Sequence, residues 1–249
     1  MPGATFTAAR RVERVRHEIK RRDVRVAAVE RLGPHVRRIT LRGEALADFV
    51  SASFDDHVKL IFDAPAGAEP ARRDYPPRRF DNAARELVIE FALHGAGPAA
   101  EWARQAVVGA PLTVAGPKGS LIIPLDYDWH LLVADATGLP AIARRLEELP
   151  TGARALVILN VPDAADRRVL ASRADVDLRW VASDDEMLAA ARALVLPPGE
   201  GYAWCAGEAR AMATLRAILV QEKGHPATAI RAAAYWKRGA SAHHENLEG

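Results

Sequence analysis

The spacing of apolar and polar residues changes near residue 126 of the chain. Up to that point the apolar stretches are short, and breaker segments such as Gly33-Pro34 and Tyr75-Pro76-Pro77 separate them. These stretches predict strands at Val24–Val29, Val36–Leu41, Val58–Phe62, Glu86–Leu93 and Pro111–Ala115. Short strands at this spacing favour a β-sandwich or a β-barrel.

Beyond residue 126 the pattern alternates between strands and helices. Strands are predicted at His130–Ala134, Ala155–Val161, Val176–Val181, Tyr202–Ala206 and Ala229–Tyr235. Helices are predicted at Pro140–Leu149, Asp185–Leu194 and Glu208–Lys223. The alternation predicts a doubly wound parallel sheet. We therefore divide the chain into an N-terminal extension (1–23), a β domain (24–125) and an α/β domain with a C-terminal segment (126–249), with the boundary at Leu125–Trp129.

Charge is distributed unevenly, although the whole chain carries a net charge of only +2. Residues 1–42 contain twelve basic and four acidic residues, and the extension 1–23 contains seven basic and three acidic ones. This basic N-terminal segment raises the hypothesis that the protein binds nucleic acid, but no helix-turn-helix or RNA-binding signature accompanies it. The mixed signs within residues 1–23 instead predict a solvated helix or a frayed arm.

The rest of the composition excludes several classes of protein. The single cysteine, Cys205, rules out an internal disulfide, a CxxC redox pair and an iron–sulfur site built from four cysteines. No apolar run approaches the roughly 18 residues that a membrane span needs. The N-terminus also lacks the apolar core of a secretory signal. We therefore expect a soluble, cytoplasmic protein, and we expect it to be a monomer.

Two segments of the β half carry candidate ligand-binding chemistry. In an extended strand Arg73 and Tyr75 share one face, so that a guanidinium can bind a phosphate and a ring can stack on a flat heterocycle. The alternative is a solvated loop stiffened by proline. The second segment, His94-Gly95-Ala96-Gly97-Pro98-Ala99-Ala100-Glu101-Trp102-Ala103, predicts a helix start whose free N–H groups attract a pyrophosphate. The alternative there is an ordinary helix start without a ligand.

Two further segments lie in the α/β half. Ala134-Asp135-Ala136-Thr137-Gly138-Leu139-Pro140 joins a strand to a helix through small residues, at a position that binds nucleotide phosphates in doubly wound sheets. It is not the GxGxxG fingerprint. Ala206-Gly207-Glu208-Ala209 repeats the pattern after a later strand, and an ordinary strand-to-helix turn is its alternative reading.

Five motifs in order give the chain a family resemblance. They are Tyr75-Pro76-Pro77-Arg78, the segment His94 to Ala103, Gly116-Pro117-Lys118-Gly119-Ser120, the segment Ala134 to Ile142, and Tyr235-Trp236-Lys237-Arg238-Gly239. With them the chain resembles the siderophore-interacting protein family of FAD-dependent ferric-siderophore reductases, which belongs to the ferredoxin-reductase-like superfamily. The resemblance covers residues 24–239. It implies a six-stranded antiparallel FAD-binding β-barrel followed by a doubly wound, NAD(P)H-binding α/β domain.

The resemblance also implies roles for individual residues. FAD would be bound by Arg73, Asp74, Tyr75, Pro76, His94, Gly97, Pro98, Ala99 and Ala100. NADPH or NADH would be bound by Asp135, Thr137, Ala206, Gly207, Glu208 and Trp236. An anionic ferric siderophore would be attracted by Lys59, Lys118, Lys237 and Arg238. No catalytic protein residue and no metal ligand is expected, because the flavin carries the chemistry.

Three positions depart from the family pattern. Pro76 stands where Ser or Thr is usual, and it has neither a hydroxyl nor an N–H group. Ala134 and Ala136 replace a Gly and a Glu of the nucleotide turn. These departures keep a second hypothesis open, a flavin- or ligand-binding homologue that lacks NAD(P)H reductase activity. Arg144 and Arg145 lie inside a predicted helix, where we expect them to be solvated.

Overall fold

Antiparallel strands make up the first half of the structure. The computed structural model describes residues 12–63, 67, 69–93, 97–239 and 245–246. The elements of this half are β1 (Glu13–Arg16), β2 (Arg21–Gly33), β3 (Val36–Arg42), β4 (Val58–Phe62), β5 (Ala71–Tyr75), β6 (Arg79–Asp81), β7 (Glu86–Ala92), α1 (Pro98–Gln105), β8 (Pro111–Ala115) and β9 (Gly119–Ile122).

Seven of these strands form one sheet in the order β5-β4-β8-β2-β3-β7-β6, and β1 pairs separately with β9. Tyr75 on β5 and Phe91 on β7 lie near opposite ends of this order, yet their ring centroids are 4.6 Å apart. The sheet therefore curls until its two ends approach each other. The predicted antiparallel β half is confirmed; the sheet has seven strands because the short β6 adds to β7 at one edge.

The predicted separable extension over residues 1–23 is wrong for the part that the structure describes. β1 pairs with β9, and β2 begins at Arg21, where it pairs with Ala115 of β8. Arg22 is buried and donates hydrogen bonds to the Ala45 carbonyl at 2.9 Å and to Asp48 at 3.1 Å. The sequence alternates between exposed and buried positions from Arg21 to Val26, which is the period of a strand. Residues 1–11 lie outside the described part.

A mainly parallel sheet makes up the second half. Its elements are β10 (Trp129–Asp135), α2 (Leu139–Glu148), β11 (Arg154–Asn160), β12 (Asp175–Val181), α3 (Asp184–Ala193), β13 (Gly201–Glu208), α4 (Ala209–Ala217), β14 (Ile230–Trp236) and β15 (Glu245–Asn246). All the helices and strands predicted in this half are present, although the helix predicted to reach Lys223 continues beyond α4 as a π-helical turn at Ile218–Glu222.

The strand order β12-β11-β10-β13-β14-β15 determines where this half can bind a ligand. The first five strands are parallel, and β15 adds antiparallel to β14. The chain moves outward on one side of β10 and then returns to its other side, so the order reverses between β10 and β13. Ligands of open α/β sheets bind at such a switch point, beyond the carboxyl ends of the strands. Here that position lies next to Asp135 and Glu208.

Separate apolar clusters cover the two faces of this sheet. One contains Leu131, Val133 and Met212, and the other contains Leu132, Trp204 and the apolar residues of α2. The second cluster also includes Phe54 and Ile123 from the first half, so the two halves pack together on the α2 side of the sheet. Within the described part of the chain, none of the helices combines the length and the apolarity that a membrane crossing requires.

Candidate active site

Tyr75 occupies an aromatic pocket at the end of β5. Its ring packs on Phe91 at 4.6 Å between centroids, and Phe91 in turn packs on Trp102 of α1 at 5.7 Å. Burial raises the pKa of the Tyr75 phenol above its ordinary value, so the side chain stays neutral. The ring is held on one side by these neighbours, and the half-buried residue retains a surface on which a flat heterocycle can stack.

Arg73 lies two residues before Tyr75 and therefore on the same face of β5. Its Nη1 donates a hydrogen bond of 2.8 Å to the Arg72 carbonyl, and its side chain is half-buried. Asp74 points to the opposite face, where it accepts hydrogen bonds of 2.7 and 3.0 Å from Nζ of Lys59. Two residues that were predicted to bind different ligands thus form an ion pair with each other.

The start of α1 has the features of an anion-binding site. Gly97 precedes the helix in an extended conformation, no side chain caps the helix, and Pro98 occupies its first turn. A Cβ built on Gly97 would meet no atom of the described residues within 4 Å, which leaves space beside the free N–H groups. The aromatic pocket, the guanidinium and this uncapped helix start together fit the ring and phosphates of FAD. His94 lies outside the described residues.

Pro76 and Pro77 follow Tyr75 and are both buried. Neither can donate a backbone hydrogen bond. The carbonyl of Pro77 accepts a hydrogen bond of 3.3 Å from Nη1 of Arg144 on α2. This segment is therefore attached to the second half of the molecule instead of forming a free loop.

The nucleotide turn is organised around the carboxylate of Asp135. Its Oδ1 accepts hydrogen bonds from the backbone N–H and the hydroxyl of Thr137 at 2.8 and 2.5 Å. Its Oδ2 accepts one of 2.7 Å from Nε1 of Trp236 at the end of β14. Burial raises the pKa of Asp135, and these hydrogen bonds oppose that shift. The structure thus brings together three residues that sequence reasoning assigned to the nucleotide site.

Ala134, Gly138 and Ala206 pack closely behind this turn. A Cβ on Gly138 would lie 2.7 Å from the Ala134 methyl and 3.3 Å from that of Ala206. Ala134 is fully buried. Its methyl group, which is extra relative to the family pattern, therefore faces the start of α2 inside the protein.

Glu208 closes the N-terminus of α4. Its Oε2 accepts hydrogen bonds from the backbone N–H groups of Arg210 at 2.7 Å and Ala211 at 3.1 Å, and its Oε1 accepts one from Arg238 at 3.3 Å. Burial acts to raise the pKa of Glu208, but these backbone donors outweigh it and the pKa is lowered. A side chain thus caps the start of α4, whereas no side chain caps the start of α2.

The other predicted substrate cations are exposed. Lys118 lies in the connection between β8 and β9, three residues after Ala115, which pairs with Lys59. Lys237 and Arg238 follow β14 at the switch point, and Arg238 lies 3.7 Å from Asp184.

Arg144 and Arg145 were predicted to be solvated, and this prediction is wrong. Both are buried, because α2 lies between the parallel sheet and the first half. Arg145 donates hydrogen bonds to the carbonyls of Ile123 and Pro124 at 3.1 and 2.8 Å. Burial lowers its pKa to about 10. The apolar residues around the two arginines in α2 were the only sequence signal for their burial.

Asp55 also connects the two halves through buried contacts, and the sequence did not reveal it. It accepts a hydrogen bond of 2.7 Å from Nε1 of Trp204 on β13 and forms an ion pair with Arg231 on β14. Burial raises the pKa of Asp55, and the nearby Arg231 guanidinium opposes the shift. No local pattern marks this residue, because its partners lie far away in the sequence.

Comparison with known proteins assigns the family. Residues 127–239 match the model of the family described as siderophore-interacting protein, and residues 25–71 and 63–121 match that of the siderophore-interacting FAD-binding domain. An NADPH-dependent ferric-chelate reductase of Escherichia coli is 38% identical over 245 residues, which covers 90% of this chain and 96% of the relative. The chain belongs to the siderophore-interacting protein family.

Two further family members extend the comparison. The ferric vibriobactin reductase of Vibrio cholerae is 30% identical and covers 84% of this chain and 87% of its own length. The crystal structure of a siderophore utilization protein from T. fusca superposes with a TM-score of 0.86 at 33% identity, covering 94% of this chain and 98% of that one. Flavohemoglobin and ferredoxin reductase structures share the fold at lower identity. The family resemblance and the fold class predicted from the sequence are confirmed.

Proposed function

We propose that this chain reduces ferric siderophores with electrons from NADPH through bound FAD. When bound, the flavin supplies the chemistry: it takes two electrons from NADPH as a hydride and gives them singly to ferric iron, so that NADPH + 2 Fe3+ yields NADP+ + 2 Fe2+ + H+. The chelator binds ferrous iron more weakly, and the metal is released. The names of the Escherichia coli and Vibrio cholerae relatives support this reaction.

One structural observation supports the proposal. The Phe54-Asp55 segment, which leads into β4, holds Trp204 of β13 by a hydrogen bond of 2.7 Å and a ring contact of 5.3 Å. β4 pairs with the strand of Tyr75, and β13 ends at Gly207 and Glu208. The contact therefore joins the elements that carry the two ligand segments, as hydride transfer between two cofactors requires.

The roles of individual residues follow from their positions. Tyr75 would hold the flavin ring, and Arg73 with the N–H groups of α1 would hold its phosphates. The buried Pro76-Pro77 segment would exclude water beside the ring. Asp135 and Thr137 would position the nicotinamide nucleotide at the switch point, where Trp236 donates a hydrogen bond to Asp135. We propose that Lys118, Lys237 and Arg238 attract the anionic siderophore. Lys59 forms a close ion pair with Asp74 at 2.7 Å, whereas Arg238 lies 3.7 Å from Asp184 and is largely exposed.

An anaerobic spectroscopic experiment tests this function. Purified full-length protein is loaded with FAD and mixed with NADPH, and the visible flavin band is followed. Bleaching by NADPH, followed by recovery and ferrous-iron formation on addition of a ferric siderophore, is the expected result. A preference for NADH over NADPH would correct the proposed donor.

The second hypothesis is a flavin-binding homologue without reductase activity. Pro76 motivates it, but the reductase names of the Escherichia coli and Vibrio cholerae relatives do not favour it. The Ser or Thr that is usual in the family at this position has a hydroxyl, whereas Pro76 offers no hydrogen-bond donor. If FAD binds but neither nucleotide bleaches it, that hypothesis replaces the proposed function. If FAD does not bind at all, both fail.

A further inference from the structure

Arg144 forms a hydrogen-bonded bridge between α2 and the first half of the molecule. Its Nη1 donates to the Ser51 hydroxyl at 2.8 Å and to the Pro77 carbonyl at 3.3 Å, and its Nη2 donates to the Ser51 carbonyl at 2.9 Å. Its Nε donates to Glu148 on the same helix at 2.7 Å. The residue is buried, so water competes little with these contacts.

Both ends of this bridge lie next to a ligand segment. Pro77 comes two residues after Tyr75, the proposed flavin platform. At the other end, α2 begins at Leu139, directly after the turn that Asp135 and Thr137 organise. Little more than one helical turn separates Leu139 from Arg144, and so short a piece of helix is rigid. Arg144 is therefore a buried side-chain connection between the flavin segment and the helix of the nucleotide turn. A second connection lies nearer the surface, where Nη1 of Arg78 donates a hydrogen bond of 2.8 Å to the exposed Glu147 of α2.

The acceptors of Arg144 are themselves fixed. The Ser51 hydroxyl donates to Asp56 at 2.9 Å, and Asp56 also accepts hydrogen bonds from the Ser53 backbone at 3.1 Å and the Ser120 hydroxyl at 2.7 Å. The Cζ atom of Arg144 also lies 6.0 Å from the Phe80 ring centroid on β6. The planar guanidinium group has several donors and can bind Ser51 and Pro77 at once, whereas a lysine ammonium offers a single point of contact.

We propose that Arg144 is a positioning residue that fixes the spacing between the segment Tyr75–Pro77 and the nucleotide turn, and thereby determines the rate of hydride transfer. The inference rests on the proposed function. It adds the residue that keeps the flavin site and the nucleotide site at a fixed spacing. Arg144 contacts the Pro77 carbonyl but none of the side chains that are proposed to bind a ligand. Its loss should therefore change the relative placement of the two sites much more than their affinities.

The test compares Arg144→Met with a matched variant, Arg168→Met. Arg168 is also an arginine of the second half that pairs with a buried residue of the first half, Glu90, but it contacts neither Ser51 nor Pro77. Dissociation constants for FAD and NADP+ are measured by equilibrium titration. The rate of flavin reduction at saturating NADPH is measured by anaerobic stopped flow. Hydrogen–deuterium exchange of residues 51–57 is measured on the cofactor-free full chain.

For Arg144→Met we expect reduction to be slower by roughly tenfold to a hundredfold, because a shift on the order of 1 Å between reacting groups costs about that much. Both dissociation constants should stay within about threefold, and exchange over residues 51–57 should become roughly tenfold faster. Arg168→Met should behave like the wild type in all three measurements. Arg144→Lys, which keeps the charge without the planar guanidinium group, should be intermediate, and it replaces Arg144→Met if that variant does not fold.

Three results would overturn the inference: reduction of Arg144→Met at the wild-type rate, equal slowing in Arg168→Met, or a loss confined to the dissociation constants. Failure of the proposed function looks different, because the wild-type flavin would then not be reduced by either nucleotide. In that event the exchange data alone decide whether Arg144 holds the two segments together: unchanged exchange in Arg144→Met rejects the bridge.

Discussion

The indole Nε1 of Trp236 donates a hydrogen bond of 2.7 Å to Oδ2 of Asp135 across a sequence separation of 101 residues. It joins the ends of β10 and β14, which flank β13 in the parallel sheet. The same carboxylate receives two hydrogen bonds from Thr137, so a single side chain connects two motifs that were recognised separately in the sequence. The nucleotide turn is therefore shaped by a tertiary contact as well as by its own small residues.

A double-mutant cycle should detect this contact. Trp236→Phe keeps an aromatic ring and removes the donor, and Asp135→Ala removes the acceptor. We expect a coupling free energy of about 1 kcal/mol, the usual value of one such hydrogen bond, in urea unfolding of the two single variants and the double variant. Strictly additive effects would show that the hydrogen bond contributes nothing to stability.

Gly207→Ala should impair nucleotide use without affecting the flavin. A Cβ at this position would lie 2.7 Å from Oδ2 of Asp135, closer than real side chains approach, so the carboxylate must move. We expect flavin reduction by NADPH to slow on the order of tenfold or more. The dissociation constant for FAD, measured by fluorescence quenching, serves as the internal control. A variant that loses FAD affinity to the same degree would contradict this explanation.

Gly97→Ala should separate phosphate binding from folding. Among the residues that the structure describes, the added methyl meets no atom within 4 Å, and loss of a glycine before a helix costs at most about 1 kcal/mol. If the open space beside α1 receives the FAD phosphates, affinity for FAD should fall about tenfold or more while affinity for riboflavin, which has no phosphate, stays unchanged. Titration of the cofactor-free protein with both flavins gives this ratio. Equal losses for the two ligands would indicate that the phosphates lie elsewhere.

Stability should fall as the pH decreases below about 6.5, in part because of His225. Burial lowers the pKa of this imidazole from its ordinary value of 6.5, although its hydrogen bond to the Ala229 carbonyl opposes the shift. His225 therefore takes up a proton more readily in the unfolded chain than in the folded one. Its contribution to the free energy of unfolding is complete above pH 6.5 and is lost as the pH falls toward the folded-state pKa.

His225→Gln should reduce this pH dependence without abolishing it. Burial also lowers the pKa of His57, which remains in the variant and acts in the same direction. Thermal unfolding between about pH 8 and pH 5, where an ordinary histidine titrates, measures the slope for both proteins. A wild-type slope in the variant would exclude His225 as a contributor.

Cys205 should be inert in the native protein. The thiol is fully buried on β13, and burial raises its pKa, so the reactive thiolate is not formed. We expect no reaction with a water-soluble disulfide reagent under native conditions and one equivalent after denaturation, since the chain has a single cysteine. Rapid native labelling would show that β13 opens readily to solvent.

The division into two halves and most elements followed from local patterns. The apolar residues Val36, Ile39 and Leu41 and the continuous apolar run before Asp135 each reflect how one segment is buried, and this information is local in sequence. The segments around Tyr75 and Asp135 could likewise be proposed as ligand sites, because phosphate and ring binding require particular residue types at short spacing. That assignment stays a prediction.

What the sequence alone could not decide concerned contacts between distant segments. Arg144 and Arg145 look like solvated helix residues until α2 is packed between the sheet and the first half. Lys59 looks like a free cation until β4 pairs with β5 and brings it to Asp74. Residues 13–16 look like part of a basic arm until β9 supplies a partner for their backbone. Each outcome depends on a partner far along the chain, and only the tertiary structure determines which partners meet.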